Sequence, residues 1–385
     1  MFRTRNYLYL GEYLITLNLG EFMTNNTEDL RKKASLVDTK RIIKALNNGT
    51  YSRLKSRIVP AIYSNSLLGK VFYPNINAAY LELTNNCNLK CKMCIYEKLK
   101  QKTGFMSRSL FKSCVNQLSE MGVGTLYLHF GGESLVHPNF KEFLKYAISK
   151  RNQGKIKNVS WFDNGMLFNQ AISDLVIDLH VDSIAFSVDG VGSVNDKIRQ
   201  GSNYSIIERN IKYLIEKRGN ATKPEIVLSM CDYGKTEEQK MDVYREWVPF
   251  VDYITHIPSI LPDNTWENKD ESASSLKIIS APKFCSFPFN TMAISWDGRV
   301  TGCCLDYIFK MGLGDATCES LKDIWRGQRY RSLRKAVMKK TFSVGSPCRT
   351  CEFWQINFEP RQELILNGAA KMTYGYIYRK IEKNC

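Results

Sequence analysis

Ala78-Ala-Tyr-Leu-Glu-Leu-Thr-Asn-Asn-Cys87-Asn-Leu-Lys-Cys91-Lys-Met-Cys94 runs from an apolar stretch of strand length into three thiols in CxxxCxxC spacing. A structural zinc site wants four ligands, and this loop holds neither a histidine nor a fourth cysteine. Three thiolates suit three irons of a 4Fe-4S cluster and leave the fourth iron to a substrate or cofactor, whereas an electron-transfer cluster uses four cysteines.

Outward from this loop, short apolar runs alternate with longer amphipathic segments. The runs are 78–83, Thr125–Phe130, Val159–Phe162, Ser183–Val188, Glu225–Met230 and Tyr253–Ile257. Between them Leu110, Cys114, Leu118 and Met121 recur at helical spacing, as do Phe140, Phe143, Leu144, Ala147 and Ile148, and then Ile206, Ile207, Asn210, Ile211 and Leu214. Strands separated by helices at this rhythm predict an α/β fold, a partial (β/α)6 barrel of parallel strands with right-handed crossovers. Function then belongs at the C-terminal strand ends.

Residues 258–283 are rich in proline and polar residues and read as a linker. Beyond it, Met292–Cys303 reads as a β-hairpin whose tight turn is Asp297-Gly298, the glycine supplying positive φ. The organisation expected is an N-terminal extension over 1–74, partly helical, the barrel over 75–257, the linker, a small cysteine-rich hairpin-plus-helix module over 284–355, and a tail over 356–385.

The motifs at the strand ends resemble those of the radical S-adenosylmethionine (SAM) superfamily, whose CxxxCxxC loop follows the first barrel strand and whose open iron is chelated by SAM. Gly131-Gly132-Glu133 ends the second run, where that family has a GGE motif that holds the methionine amino group of SAM. Two glycines allow close backbone approach, and a carboxylate accepts from an ammonium. Asn164, Ser187 and Arg199 fall near the third and fourth strand ends, and the resemblance places Ser187 by the ribose and Arg199 by the SAM carboxylate. Turn geometry is the alternative reading for each. Met93 stands where the family usually has an aromatic against adenine; a thioether supplies similar contact.

Cys285, Cys303, Cys348 and Cys351, with Gly298 five residues before Cys303, resemble the auxiliary-cluster module of the SPASM and twitch branch. Four thiolates would ligate a second 4Fe-4S cluster, and a four-cysteine zinc site is the alternative. A full SPASM module has seven cysteines, while the chain after Cys351 offers only Cys385, so one auxiliary cluster is expected. Cys304 and Cys318 compete for this assignment. Adjacent strand residues face opposite ways, so Cys303 and Cys304 should not both serve one cluster. Cys114 and Cys231 read as small core residues.

The resemblance implies reductive cleavage of SAM to a 5'-deoxyadenosyl radical, hydrogen abstraction from a substrate carbon and electron transfer to the auxiliary cluster. The substrate expected is sugar-like or aminocyclitol-like, with modification of a peptide side chain as the runner-up. An external one-electron reductant of flavodoxin or ferredoxin type is implied. Asp189, His129 and Asp306 are the candidates for a substrate base, each with a structural reading beside it.

The 385 residues carry a formal net charge of +16, which favours anionic partners, a phosphorylated substrate among them. The densest basic run, Ser320–Lys340, reads as one helix with a solvated face, and no interleaved aromatics point to nucleic acid. The twelve cysteines sit in local clusters rather than in a disulfide framework, which fits a reducing cytoplasm. The apolar stretch at 7–19 is too polar and short to span a membrane and lacks a small-residue cleavage site. Met23 is an alternative start to Met1.

Overall fold

The computed structural model describes residues 72–96, 102–258, 285–343, 346–349 and 351, together with the short strands 7–10 and 13–17. Nearly all of the expected linker, the tail with Cys385, and the helical reading of 24–70 lie outside the described residues. In the N-terminal extension, β1 (Tyr7–Leu10) and β2 (Tyr13–Leu17) pair antiparallel, and β2 pairs with β3 (Phe72–Pro74). The described part of this extension is β structure.

The strands β4 (Ala78–Leu81), β6 (Thr125–Tyr127), β7 (Asn158–Asp163), β8 (Ser183–Ser187), β10 (Glu225–Asp232) and β11 (Tyr253–Pro258) lie side by side in chain order, each parallel to the next. The crossovers carry helices α1 (Arg108–Met121), α2 (Phe140–Asn152), α3 (Gln170–Asp178), α4 (Ser193–Ile198), α5 (Tyr204–Arg218) and α6 (Glu237–Trp247). This is the expected α/β arrangement of parallel strands. A two-residue antiparallel pair, β5 (Lys90–Cys91) with β9 (Arg199–Gln200), stands apart from the sheet.

The elements form where local chemistry closes them. Ser107 caps α1 by accepting from the Leu110 N–H, and Gly122 ends it in the left-handed region while donating to the Leu118 and Ser119 carbonyls. The helix buries Phe111, Cys114, Val115 and Leu118, so Cys114 is a core residue as expected. Strand side chains alternate, and Leu81, Leu126, Leu128, Trp161, Ile184, Phe186 and Leu228 join the buried core shared with the helices. The opposite set, Tyr80, Tyr127, His129, Ser160, Phe162, Ser183, Ser187, Ser229 and Cys231, faces the lumen.

The hairpin expected at Met292–Cys303 is present as β12 (Thr291–Ile294) and β13 (Arg299–Thr301), followed by β14 (Gly314–Asp315). Gly298 in its turn has φ +98°. The hairpin is not set apart, because β12 pairs parallel with β4 from Thr291↔Ala78 to Ile294↔Leu81 and extends the barrel's own sheet.

The single helix expected over 320–340 is two, α8 (Leu321–Arg326) and α9 (Gln328–Lys339), joined at Gly327 after the short α7 (Phe287–Asn290) upstream. Gly327 has extended backbone, and a Cβ there would stand 2.8 Å from the Asp323 carbonyl oxygen. Arg334, read as part of a solvated basic face, is 1% exposed. Its Nε donates to the Pro288 carbonyl at 2.8 Å and a terminal nitrogen to the Trp325 carbonyl at 3.0 Å, while its guanidinium lies 4.2 Å from the Trp325 ring centre. Truncation leaves two buried carbonyls without this donor, at about 1–3 kcal/mol each. Arg334→Ala should therefore lower unfolding free energy by roughly 3–5 kcal/mol in a denaturant titration.

Candidate active site

The cysteine loop is stapled where it leaves β4. The Thr84 hydroxyl donates to the Gly104 carbonyl at 2.6 Å and accepts from the Asn86 N–H. Asn85 accepts from the Gly104 N–H and donates to the Lys102 carbonyl. Cys87 Sγ accepts from the Leu89 N–H at 3.4 Å, and the Cys94 N–H donates to the Cys91 carbonyl. Pairing of β5 with β9 brings Arg199 opposite Cys91, where its guanidinium donates to Cys91 Sγ at 3.9 Å. Cys87 is exposed, and the partial loss of hydration at its thiol, with Glu133, Cys91 and Cys94 nearby, raises its pKa. Burial also raises Cys91, and Arg199 opposes that rise. Such thiols give up their protons to a metal centre, whose charge reverses the penalty. Met93 is half-buried in the same turn.

The glycines of the second strand end are required by their surroundings. Gly132 has φ +64°, and a Cβ on it would lie 2.4 Å from the Asn86 carbonyl oxygen; one on Gly131 would strike the Tyr96 ring. Glu133 is buried, with one oxygen accepting from the Leu135 N–H at 3.1 Å and the other from the Asn164 N–H at 2.9 Å. Burial, then the nearby Asp163 carboxylate, raises its pKa well above the usual range. The Asn164 side chain donates to Asn88 Oδ1 at 2.8 Å, so the third strand end is tied to the cysteine loop. Ser187 ends β8, half-buried on the lumen face.

The three base candidates are all engaged. Asp189 is fully buried, with one oxygen 2.7 Å from Arg199 Nε and the other accepting from the Cys231 N–H at 2.6 Å and Lys235 Nζ at 3.1 Å. Asp306 accepts from the Thr301 hydroxyl and the Lys310 and Met311 N–H groups. His129 Nδ1 accepts from the Phe162 N–H, which leaves the proton on Nε2, and burial lowers its pKa to about 3. Below the ordinary pKa of 6.5 the unfolded chain takes a proton that folded His129 refuses, so its contribution to stability falls from about pH 6.5 toward 3. A pH series of melting temperatures should show His129→Gln losing part of that acid sensitivity.

Sequence reasoning missed three residues. Lys235, with a fully buried side chain, joins Arg199 on Asp189. Cys231, read as core, ends β10 on the lumen side, close enough to Arg199 and Tyr307 to affect their ionisation. Glu82 is 1% exposed beyond β4 and accepts from the Tyr96 hydroxyl, the Gly131 N–H and the Trp296 N–H. A carboxylate in an otherwise apolar buried run was the available signal for Glu82; Lys235 had none.

Cys285, Cys303, Cys348 and Cys351 line one cavity, with Asp306 and Met311 in its wall. Cys304 is not part of that lining. Its thiol is nevertheless close enough to act on Cys285 and Cys303, and both Cys303 and Cys304 help raise Tyr80 and Tyr307. Cys318 is exposed and donates to the Asp315 carbonyl. Burial and the neighbouring thiols raise Cys303, and Cys348 is raised to about 11. Tyr307 stands between the two cysteine sets: its ring centre is 5.9 Å from those of Tyr96 and Phe130, and Cys304, Cys303, Cys231 and Cys94 all act on its phenol.

The lumen has two unlike walls. Tyr80 stacks on Tyr127 at 4.7 Å between ring centres, His129 lies 5.6 Å from Tyr80 and 4.7 Å from Phe162, and Phe130 adjoins Phe309. The other wall is Ser183, Ala185, Ser187, Val227, Ser229 and Thr255, with Ser183 donating to Ser160 and Thr255 to the Leu228 carbonyl. Among the described residues, the lumen face of the barrel strands carries carboxylates only at its ends, Glu225 at an exposed rim and the bonded Glu82, and no Lys or Arg.

Residues 81–246 match the model of the radical SAM superfamily, and residues 285–352 match an iron-sulfur cluster-binding domain, SPASM. The chain belongs to the radical SAM superfamily. It is 25% identical over 320 residues to a tungsten-containing aldehyde ferredoxin oxidoreductase cofactor-modifying protein of Pyrococcus furiosus, covering 71% of this chain and 88% of that one. It is 36% identical over 123 residues to the subtilosin biosynthesis protein AlbA of Bacillus subtilis, 31% of this chain and 26% of that one. A SAM-dependent 2-deoxy-scyllo-inosamine dehydrogenase of Niallia circulans is 21% identical over 74% of this chain and 96% of its own. Among solved structures, Streptococcus suis SuiB superposes with a TM-score of 0.54 over 92% of this chain and 94% of its own, at 13% identity, which speaks for the fold alone.

This radical SAM enzyme thus takes SAM, a SAM-binding 4Fe-4S cluster and auxiliary iron-sulfur chemistry as its cofactors. The residues present fit those groups. Three thiols in one loop leave an iron open, and four more share one cavity. Among the described residues no three His, Cys, Asp or Glu side chains converge on a lone metal ion; a cubane, with an iron at each of four corners, does not need them to. No helix among the described residues is long and apolar enough to cross a membrane.

Proposed function

We propose that this radical SAM enzyme is an oxidoreductase that dehydrogenates a carbon of a neutral, sugar-like or cyclitol-like ring. The observation that carries the substrate class is the two-walled lumen. A pyranose or cyclohexane ring presents a C–H face to aromatic rings and hydroxyls to its edge, and the strands that carry Tyr80, Tyr127 and Phe162 lie beside those that carry Ser183, Ser187 and Ser229. A phosphate on the reacting ring, suggested by net charge, finds no cation on the described barrel strands facing the lumen, and Arg199 and Lys235 are both committed to Asp189.

Cys87, Cys91 and Cys94 would hold the SAM-binding cluster, and Cys285, Cys303, Cys348 and Cys351 a single auxiliary one. When bound, these groups supply a 5'-deoxyadenosyl radical that removes the carbon-bound hydrogen and an electron sink that, with loss of the hydroxyl proton to solvent, completes oxidation to a ketone. Gly131, Gly132, Glu133, Asn164, Ser187, Arg199 and Met93 shape the SAM cradle. The His129 Nε2–H donates to a substrate oxygen. Neither His129, held neutral, nor Asp189, held by two cations, serves as the base. The name of the Niallia circulans dehydrogenase supports this reading.

A peptide substrate is the second reading. It is favoured by the antiparallel sheet β1–β2–β3, whose edge can accept an extended peptide through main-chain hydrogen bonds, and by the maturation proteins among the relatives. Anaerobic turnover with a flavodoxin-type reductant decides between them. Equal yields of 5'-deoxyadenosine and ketone from a neutral cyclitol or sugar support the first reading, and SAM cleavage uncoupled from product across such a panel sinks it.

A further inference from the structure

We propose that Glu82 is a positioning residue that fixes the SAM-cluster loop and the auxiliary hairpin in one register. Its carboxylate lies where three segments distant in sequence meet. One oxygen accepts from the Tyr96 hydroxyl at 3.1 Å and from the Gly131 N–H at 3.2 Å; the other faces the Trp296 N–H at 3.4 Å. Tyr96 follows the third cysteine of the loop by two residues, Gly131 opens the GGE segment, and Trp296 begins the turn of the hairpin that leads to Cys303. The backbone joins the same junction, since the Glu82 N–H donates to the Ile294 carbonyl at 2.9 Å.

The junction admits no looser substitute. Tyr96 packs so closely on Gly131 that a Cβ there would lie 2.1 Å from the phenol oxygen. Movement of Tyr96 therefore moves the GGE segment, and Tyr96 also meets Tyr307 of the auxiliary module edge-on. Glu82 ties this unit to a strand end of the barrel. Burial holds the carboxylate's pKa near 7, and Arg299, itself bonded to Asp297, is the cation acting on it, beside the Tyr96 phenol and the Trp296 and Gly131 N–H groups. A carboxylate kept dry at that cost in a strand end is placed for its bonds, since burial of an unneeded charge is strongly disfavoured.

The inference rests on both cysteine sets holding clusters, and the test separates the two ideas. Wild-type enzyme reconstituted anaerobically should contain about eight irons per chain; zinc or four irons would remove the premise and not the inference alone. With that established, Glu82→Ala, Glu82→Gln and Tyr96→Phe are compared by electron paramagnetic resonance of the reduced enzyme with and without SAM, by KM for SAM and by kcat. Glu82→Ala should keep its full iron content, lose most of the SAM-induced change in the first cluster's signal, perturb the auxiliary signal, and raise KM for SAM about tenfold, with KM moving more than kcat. Glu82→Gln retains an acceptor for Tyr96 and Gly131 and should recover to within about threefold of wild type. Tyr96→Phe should fall between. Wild-type spectra and KM in Glu82→Ala overturn the proposal, as does loss of the folded state in both Glu82 variants, which would make the residue structural only.

Discussion

Replacing Cys91 with alanine should reduce 5'-deoxyadenosine formation to background and lower the iron content from about eight to about four per chain. The expected loss exceeds about 10³-fold, above the 10- to 100-fold typical of residues that only orient a ligand. The reason is ligand number. The loop holds three thiols, so removing one leaves two irons of a cubane without protein ligands. Cys231 approaches Arg199 from the end of β10 but belongs to a strand whose backbone is locked to β8 and β11, and the Cys231 N–H is bound to Asp189. It has no freedom to replace Cys91. Liquid-chromatographic assay of 5'-deoxyadenosine, run beside iron and sulfide analysis, gives the result directly, and retained cleavage in Cys91→Ala would falsify the assignment of the loop.

Much of this arrangement was legible because the signals are local. Six apolar runs at regular intervals became six neighbouring parallel strands, and Asp297-Gly298 became the turn with φ +98°. What escaped depends on pairing across the chain. β12 joins β4 over more than two hundred residues, and nothing in Thr291–Ile294 distinguishes a strand that closes a separate hairpin from one that extends the barrel sheet. Arg334 looked like one more charge in a basic helix, yet α9 turns it onto Trp325 and the Pro288 carbonyl. The same holds for Lys235: its burial exists only because Asp189 arrives from another strand end. Local patterns identify which residues lie inside. Partners set by tertiary packing decide which charges go with them.

The adjacent thiols Cys303 and Cys304 give the second large effect, and a difference between two single variants is its form. Cys303→Ala should lower the iron content to about four per chain, leave SAM cleavage measurable and abolish coupled product. Cys304→Ala should keep about eight irons. The asymmetry follows from orientation. Cys303 shares a cavity with Cys285, Cys348 and Cys351, and its Sγ already accepts from the Leu305 N–H at 3.4 Å, the kind of backbone donor that stabilises a ligating thiolate. Cys304 lies outside that lining, although its thiol is near enough to act on Cys285 and Cys303 as well as on Tyr80 and Tyr307, so it stands between the cysteine cavity and the aromatic wall of the lumen. Its loss should therefore appear in substrate turnover, as a changed KM or a less tightly coupled reaction, while both cluster signals persist. If Cys304→Ala loses the auxiliary signal and Cys303→Ala keeps it, the ligand set is Cys285, Cys304, Cys348 and Cys351, and Cys303 faces elsewhere. If the auxiliary signal survives both, a cysteine outside these two completes the site. In either case Tyr307 keeps its place between the two cysteine sets, but the electron's path from substrate to auxiliary cluster would leave the lumen at a different point.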